Sequence, residues 1–296
     1  GIMTTTTPIC LYNLDFPTLQ ALLEGWGEPP YRARQLWEWL YIHLAIDFGP
    51  HGGGHGHPDK LNFVWWALGE LMAPDPGSIS YGNPMHQGYY KQTIAHNTVM
   101  VDSRSQAPCT GQCLFYAADG NLGVTAASTD AAYPGVELIR ICAVAGQRLI
   151  DVFIARADKQ RCLEWVYHNR GKFSCEVGWK EMSSPPEGSI YKWCRQWRQA
   201  QAAGPVVARW ELENGKGVVL YHLPQPNETL LTALGPDQPP SELVPLLIER
   251  VVAKRAVWLN VLQAYEKRPP ALRARWLAEE RAAGKCVIEA DDGESR

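Results

Sequence analysis

The sequence lacks an excess of charge of either sign: 28 Lys and Arg stand against 31 Asp and Glu, for a formal net charge of −3. A broad electrostatic surface for nucleic acid is therefore not expected, and a polyanionic partner would have to be met by local cations. No apolar run approaches the roughly 20 residues needed to span a bilayer. The opening GIMTTTTPIC has neither the basic stretch nor the apolar core of an export signal, so the chain as written reads as soluble and not exported. Among eight cysteines there is no CxxC pair, Cys109 and Cys113 being the nearest two. This excludes a zinc ribbon and a dithiol redox motif and favours scattered thiols over a disulfide framework. Phenylalanine is scarce, 6 against 12 Trp and 12 Tyr. Rings with a polar handle suit β-rich cores and clefts that stack flat ligands. What is present is the apolar mass for a core: 46% hydrophobic residues with 20% charged ones, in 296 residues.

The first part of the chain has helical periodicity. Asn13 or Asp15 can cap a helix with Pro17 in its first turn, and Leu19, Leu22, Leu23 and Trp26 follow at helical spacing up to the breaker Gly27. After Pro29 and Pro30, the positions Ala33, Leu36, Trp37, Leu40 and Tyr41 form a second apolar stripe, which predicts a helical hairpin over residues 1–43. From about residue 44 the pattern changes to short alternating runs divided by turns. LAIDF (44–48), HNTVMVD (96–102), VELIRICAV (136–144), RLIDVFIARA (148–157), FSCEV (173–177), VVARWEL (206–212) and GVVLYHL (217–223) read as strands. Ala145-Gly146-Gln147 and Asn214-Gly215 read as hairpin turns. The expected fold is mainly β, a large antiparallel β-sandwich over 44–296 preceded by the short α-helical hairpin. Residues 246–265 are ambiguous between hairpin and helix, with Val, Ile and Trp favouring a hairpin; 268–296 suggests a short helix, a strand at CVIEA and a frayed tail.

The densest chemistry lies in HGGGHGHPDK, residues 51–60, where His51, His55 and His57 are separated by glycines. On an extended backbone His55 and His57 project to one side and could take a metal or an anionic substrate. From these ten residues alone a solvated loop, an adventitious metal binder and a cloning scar stay open.

The stretch LYNLDFPTLQALLEGWGEPPYRARQLWEWLY, about residues 11–42, resembles the N-terminal accessory segment of the radical-SAM adenine-C2 methyltransferases that modify ribosomal and transfer RNA. Their catalytic core holds an iron–sulfur cluster on CxxxCxxC, which is absent here: Cys109 and Cys113 have the first spacing, but Tyr116 stands where the third cysteine would fall. The segment therefore reads as a borrowed or fused cap without methyltransferase activity. RNA contact through Arg32 and Arg34 is a weak expectation, because two arginines contribute little affinity.

A second resemblance is carried by IDFGPHGGGHGHPDKLNFV, APDPGSISYG and YYKQTIAHNTVMVDSRSQ, continued by WVYHNRGKF and PLLIERV. In order, these are similar to the C-terminal β-sandwich of the heparinase II/III-like polysaccharide lyases, which include oligoalginate lyases, over about residues 45–265. The resemblance implies β-elimination on an acidic polysaccharide such as alginate or heparan sulfate, and a structural Zn²⁺ held by His57, Asp75 and His96. His/His/Asp donors suit that ion. It also implies a catalytic His55 facing the substrate, with His51, Tyr81, Tyr89 and Tyr90 as weaker substrate-binding candidates and Asp59, Lys60 and Asn97 as groups that fix the loop. The family is usually periplasmic or secreted. Its lyases place an (α/α) toroid before the sandwich, and here the helical hairpin stands instead, so a chimeric or truncated lyase, catalytically incomplete, is expected. The alternative is a non-catalytic sandwich that binds an acidic glycan.

Overall fold

The computed structural model describes residues 16–33, 44–119, 122–276 and 286–291. Helix α1 (Phe16–Gly25) has Pro17 in its first turn, buries Leu19 and Leu23, and is followed by a turn at Gly27, whose φ of 83° glycine takes without strain. Residues 30–33 begin a second helical turn; the rest of the second predicted helix, and the predicted caps Asn13 and Asp15, lie outside the described residues.

Strands β1 (Leu44–Ile46), β2 (Phe63–Ala67) and β3 (Glu70–Ala73) form a small antiparallel sheet. The main body starts with the short β4 (Val99–Val101) and the meander β5 (Gln112–Asp119), β6 (Leu122–Tyr133), β7 (Val136–Ala145) and β8 (Arg148–His168). It continues through β9 (Lys172–Cys175), β10 (Lys180–Glu181), β11 (Arg195–Gln201), β12 (Val206–Glu211), β13 (Lys216–His222), β14 (Thr229–Pro236) and β15 (Leu243–Glu266). β16 (Ala271–Trp276) pairs antiparallel with β17 (Cys286–Asp291), so the CVIEA strand is present; of the stretch 268–296 in which a short helix was expected, 271–276 is strand and 277–285 lies outside the described residues.

The sandwich follows from two long strands that belong to both layers. β15 runs without a turn, where a hairpin was expected, and pairs with β8 on either side of an irregularity at Ala253 and Arg255. The N-terminal half of β15 carries β14, β11 and β10, and the C-terminal half of β8 carries β4; the other halves carry β13, β12 and β9 on one flank and β7, β6 and β5 on the other. Alternation decides what faces inward. Trp165, Tyr167, Phe153, Trp210 and Trp258 meet in the main core, with Trp165 and Tyr167 stacked 5.6 Å apart. Each such ring contributes roughly 2–3 kcal/mol of burial. Tyr89, Tyr90, Tyr191 and Trp197 cover the outer face of β14 and β15 in a second cluster. The six cysteines with described side chains are all free thiols, and no described helix is long and apolar enough to cross a membrane.

The same alternation drives a charge into the core. On β7 the inward positions are Val136, Leu138, Arg140, Cys142 and Val144, and Arg140 is wholly buried. Its guanidinium forks onto Asp151 of β8, Nε to Oδ1 at 2.8 Å and Nη2 to Oδ2 at 2.6 Å, while Trp165 Nε1 donates to the same carboxylate. Nη1 donates to the carbonyls of Leu61 and Asn97, and the cation lies 4.2 Å from the Phe63 ring centroid. One buried cation thus ties two surface segments to the central sheet.

A second buried network sits where β13 meets β15. His222 Nε2 faces Glu228 at 2.5 Å and Nδ1 faces Glu249 at 3.3 Å, with Asn260 donating to Glu249 at 3.0 Å. The carboxylates face opposite ring nitrogens, and one ligand atom from each of the three residues lies within 4.8 Å of the others. Burial disfavours a charged His222, but Glu249 and Glu228 outweigh it and raise its pKa to about 9; burial raises Glu249 to about 8.

Two outcomes follow from these networks. Arg140→Met should destabilise the fold by about 3–5 kcal/mol, since it strands a buried Asp151, and adding Asp151→Leu should recover part of the loss in urea unfolding. A double variant no more stable than the single one would contradict the pairing. His222 and Glu249 both hold protons that the unfolded chain, at 6.5 and 4.5, would release, so their contribution is complete at low pH and lost as pH rises through about 8 to 9. Melting temperature should fall across that window and fall less in Glu249→Gln; equal slopes would refute the assignment.

Candidate functional site

The His-Gly loop is shaped by its glycines. Gly52 and Gly53 take φ of 80° and 62°, Gly53–His55 form one short helical turn, and the chain then extends at Gly56. A Cβ on Gly56 would sit 1.3 Å from the carbonyl oxygen of His51, so the loop closes on its own backbone. Lys91 clamps it from outside, Nζ donating to the Gly54 carbonyl at 2.9 Å. This turn sends the histidines different ways, in contrast to the expectation from an extended backbone. His55 is exposed and its Nδ1 lies 2.6 Å from the Tyr81 hydroxyl, whereas His57 is half-buried with its ring 5.2 Å from that of His96. His51 is half-buried, with Nδ1 enclosed and without a hydrogen-bond partner.

His57, Asp75 and His96 are brought together across 39 positions of sequence, and Asp59 joins them. One ligand atom from each of His57, Asp59 and His96 lies within 4.8 Å of the others. Asp75 Oδ2 is 3.1 Å from His96 Nδ1, and Asp59 Oδ2 is 4.0 Å from it. His96 itself precedes β4 rather than opening it; the predicted strand over 96–102 shortens to three residues. Its Nε2 lies 3.2 Å from the Tyr90 carbonyl, which can only accept, so Nε2 carries a hydrogen and Nδ1 turns toward the carboxylates. A bare lone pair aimed at two carboxylates is repulsive, and the position calls for a proton or a metal ion. Burial opposes a charge on His96, yet Asp75 outweighs it and raises the pKa; reciprocally, His96 overcomes burial and lowers Asp75 to about 2. Burial and the neighbouring His96 lower His57 to about 4, leaving its nitrogens free to ligate at neutral pH.

The groups that hold this cluster were partly anticipated. Asn97 is wholly satisfied: its amide donates to the Phe63 and Pro74 carbonyls and its Oδ1 accepts from the His168 backbone. Lys60 is buried with Nζ 2.6 Å from Asp47 and 3.3 Å from Asp59. Asn62, which sequence reading passed over, donates to Asp75 Oδ2 at 2.9 Å and accepts the Asn97 N–H at 2.8 Å. His86 was missed too; buried, it stacks edge-on against Tyr81 at 4.5 Å. The expectation that Tyr89 and Tyr90 bind substrate is corrected. Both are fully buried, Tyr90 donating to the Asp237 carbonyl, because the segment 86–90 packs its rings onto the outer face of the sheet; of the three tyrosines only Tyr81 is exposed. Arg32 is exposed near Glu28, and Arg34 lies outside the described residues.

The profile of the heparinase II/III-like C-terminal domain matches residues 35–243, and that of the ribosomal RNA large subunit methyltransferase N-terminal domain matches residues 9–50. An alginate lyase of Stenotrophomonas maltophilia is 25% identical over 251 residues, which cover 72% of this chain and 33% of that protein. An exo-oligoalginate lyase of Saccharophagus degradans is 28% identical over 254 residues, 73% of this chain and 34% of that protein. The chain thus spans about a third of the length of these lyase relatives. At its N-terminal end, 36 residues are 53% identical to a probable dual-specificity RNA methyltransferase RlmN of Chloroflexus aurantiacus, 12% of this chain and 10% of that protein. Among solved structures, the heparan sulfate lyase HepC of Pedobacter heparinus superposes with a TM-score of 0.62 at 14% identity, over 86% of this chain and 39% of that one, which establishes likeness of fold.

The donor set predicts that the purified chain carries about one equivalent of zinc, lost in His57→Ala and in His96→Ala by elemental analysis. Comparing Asp59→Asn with Asp75→Asn identifies which carboxylate ligates. Metal content unchanged in both histidine variants would eliminate the site.

Proposed function

The chain belongs to the heparinase II/III-like family, and on that footing we propose that its sandwich is the module of a polysaccharide lyase that acts by β-elimination on a uronate-containing glycan such as alginate or heparan sulfate. The observation that carries this reading is an exposed imidazole joined to an exposed phenol beside the buried His and Asp cluster: His55 Nδ1 to Tyr81 Oη, 2.6 Å. In β-elimination a base takes the proton at C5, the C5–H electron pair forms the C4–C5 double bond, and the C4–O bond breaks as an acid protonates the leaving oxygen. Neutralising the C5 carboxylate makes that proton acidic enough to leave. His55, anchored through Nδ1, presents Nε2 for proton transfer, and Tyr81 holds the ring through its hydroxyl, a second proton-transfer group at the same edge.

His57 and His96, with Asp75 and Asp59, would hold the zinc ion. Bound there, it supplies a structural cross-link between the His-Gly loop and the segment before β4. The chain's own contribution at this point is to seat the loop so that His55 stands out from it. The described residues include no helical toroid of the kind found in the family's lyases, and we read the chain alone as catalytically incomplete. Loss of positioning on one side of a substrate can remove about 7 kcal/mol or more of barrier reduction. A second reading, a non-catalytic acidic-glycan-binding sandwich, is favoured by a cationic cleft away from His55, lined by Lys172 and Arg198.

Incubation of the chain with alginate, heparan sulfate or hyaluronan should give negligible ultraviolet absorbance from unsaturated uronate. Robust turnover would defeat the claim of incompleteness, and turnover that His55→Ala leaves intact would also remove His55 from the mechanism. Retention on an acidic-glycan column that survives His55→Ala, without turnover, is the outcome expected of the binding module.

A further inference from the structure

Where the two layers part beside β9 there is a cavity of about 320 Å³, bounded by the start of β9 on one side and by β11, β14 and β15 on the other. Lys172, Phe173, Gln196 and Arg198 provide its chemistry, and no Asp or Glu lines it. None of its lining residues belongs to the His-Gly loop or to the segment carrying Asp75, Tyr81 and His96.

Three observations set this cleft apart from an ordinary crevice. The first is charge. Arg140, Arg161, Arg170 and Arg250 each hold a carboxylate, whereas Lys172 and Arg198 make no ion pair among the described residues. The second is the aromatic wall. The Arg198 guanidinium lies 5.6 Å from the Trp179 ring centroid, and Trp179 meets Phe173 edge-on at 6.2 Å, which puts a cation beside a flat apolar surface. The third is backbone. The pairing of β11 with β14 is irregular between Arg195 and Arg198, and Gln196 there takes φ of 56°, a left-handed conformation uncommon outside glycine. Such a bulge re-aims side chains: Trp197 turns into the outer core while Gln196 and Arg198 line the cleft.

A cavity of this size, with two unpaired cations, an amide and an aromatic wall, suits a pyranose bearing an oxyanion. We propose that this cleft is a second glycan site that holds one acidic sugar unit, its carboxylate or sulfate between Lys172 and Arg198 and its apolar face against Phe173, which Trp179 supports from outside the lining. The proposal rests on the acidic-glycan reading above and adds to it a place on the sandwich whose lining shares no residue with the His55 loop, where a polysaccharide is gripped while another part of it is presented to the reacting edge.

The test is calorimetric titration of the whole chain, with tryptophan fluorescence in parallel, against an oligomannuronate carrying carboxylates only, a sulfated heparan oligosaccharide, and neutral mannotriose. At least one acidic ligand should bind and quench fluorescence, the neutral one should not, and added salt should weaken binding. The Lys172→Gln/Arg198→Gln variant, changed at the protein surface, should bind at least about tenfold more weakly with an unchanged melting temperature. His55→Ala should leave this binding intact. The two acidic ligands distinguish carboxylate from sulfate recognition. Acidic-sugar binding that the double variant leaves untouched but His55→Ala abolishes would overturn the second site and leave the lyase reading standing. Equal affinity for inorganic sulfate alone would reduce the cleft to an anion site and overturn the sugar assignment. No binding of either acidic ligand to the unaltered chain would overturn both.

Discussion

A guanidinium in the middle of an apolar sandwich sets the geometry of everything near the histidines. Arg140 is costly to bury and is tolerated because Asp151 takes two of its five N–H groups and the Leu61 and Asn97 carbonyls take two more. Those two carbonyls belong to the segments that carry His57 and His96. The central strands therefore hold both histidine-bearing segments through one rigid planar fork, and Asn62 and Asn97 complete the attachment by pairing the segments with each other and with Pro74. A lysine could not serve, since its single ammonium lacks the fork that spans a carboxylate and two carbonyls.

Around this anchor polarity is graded. The buried His96 and the half-buried Asp75 form a matched pair in which each favours the other's charge, and the buried Asp59 is pushed up to about 6 by burial even though His96 pulls it down. Outward lies His57, and then His55 with Tyr81 at the surface. Two carboxylates gather around a buried imidazole nitrogen, while a second imidazole and a phenol stand exposed. One loop carries both kinds of histidine, because the turn at Gly53–His55 and the closure at Gly56 separate neighbouring histidines in space.

The two family matches overlap between residues 35 and 50, so the passage from methyltransferase-like helix to lyase-like strand falls within a short stretch of chain. Beyond it the sandwich presents two differently built surfaces. One is the histidine edge, with an exposed imidazole and phenol and the His and Asp cluster behind it; the other is the cleft beside β9, lined by Lys172, Phe173 and Arg198 and free of carboxylates.

Much of this was legible in the chain itself. The change from helical period to alternation and the β7–β8 and β12–β13 turns follow from local pattern, while the grouping of His57, Asp75 and His96 came from the family resemblance that the ordered motifs carry. Arg140 and Asp151 could also have been found, since both fall on the apolar phase of alternating strands, where a charge needs a partner. Tertiary structure decided the rest. It made β15 one strand, because its halves pair with different neighbours in different layers, which no local pattern records. It buried Tyr89 and Tyr90 by packing them on a sheet formed from residues more than a hundred positions later, and it brought Asp59 into the cluster and Lys172 beside Arg198. Local sequence sets which conformations a segment prefers; which side chains share a space depends on long-range pairing, and that is settled only when the layers close.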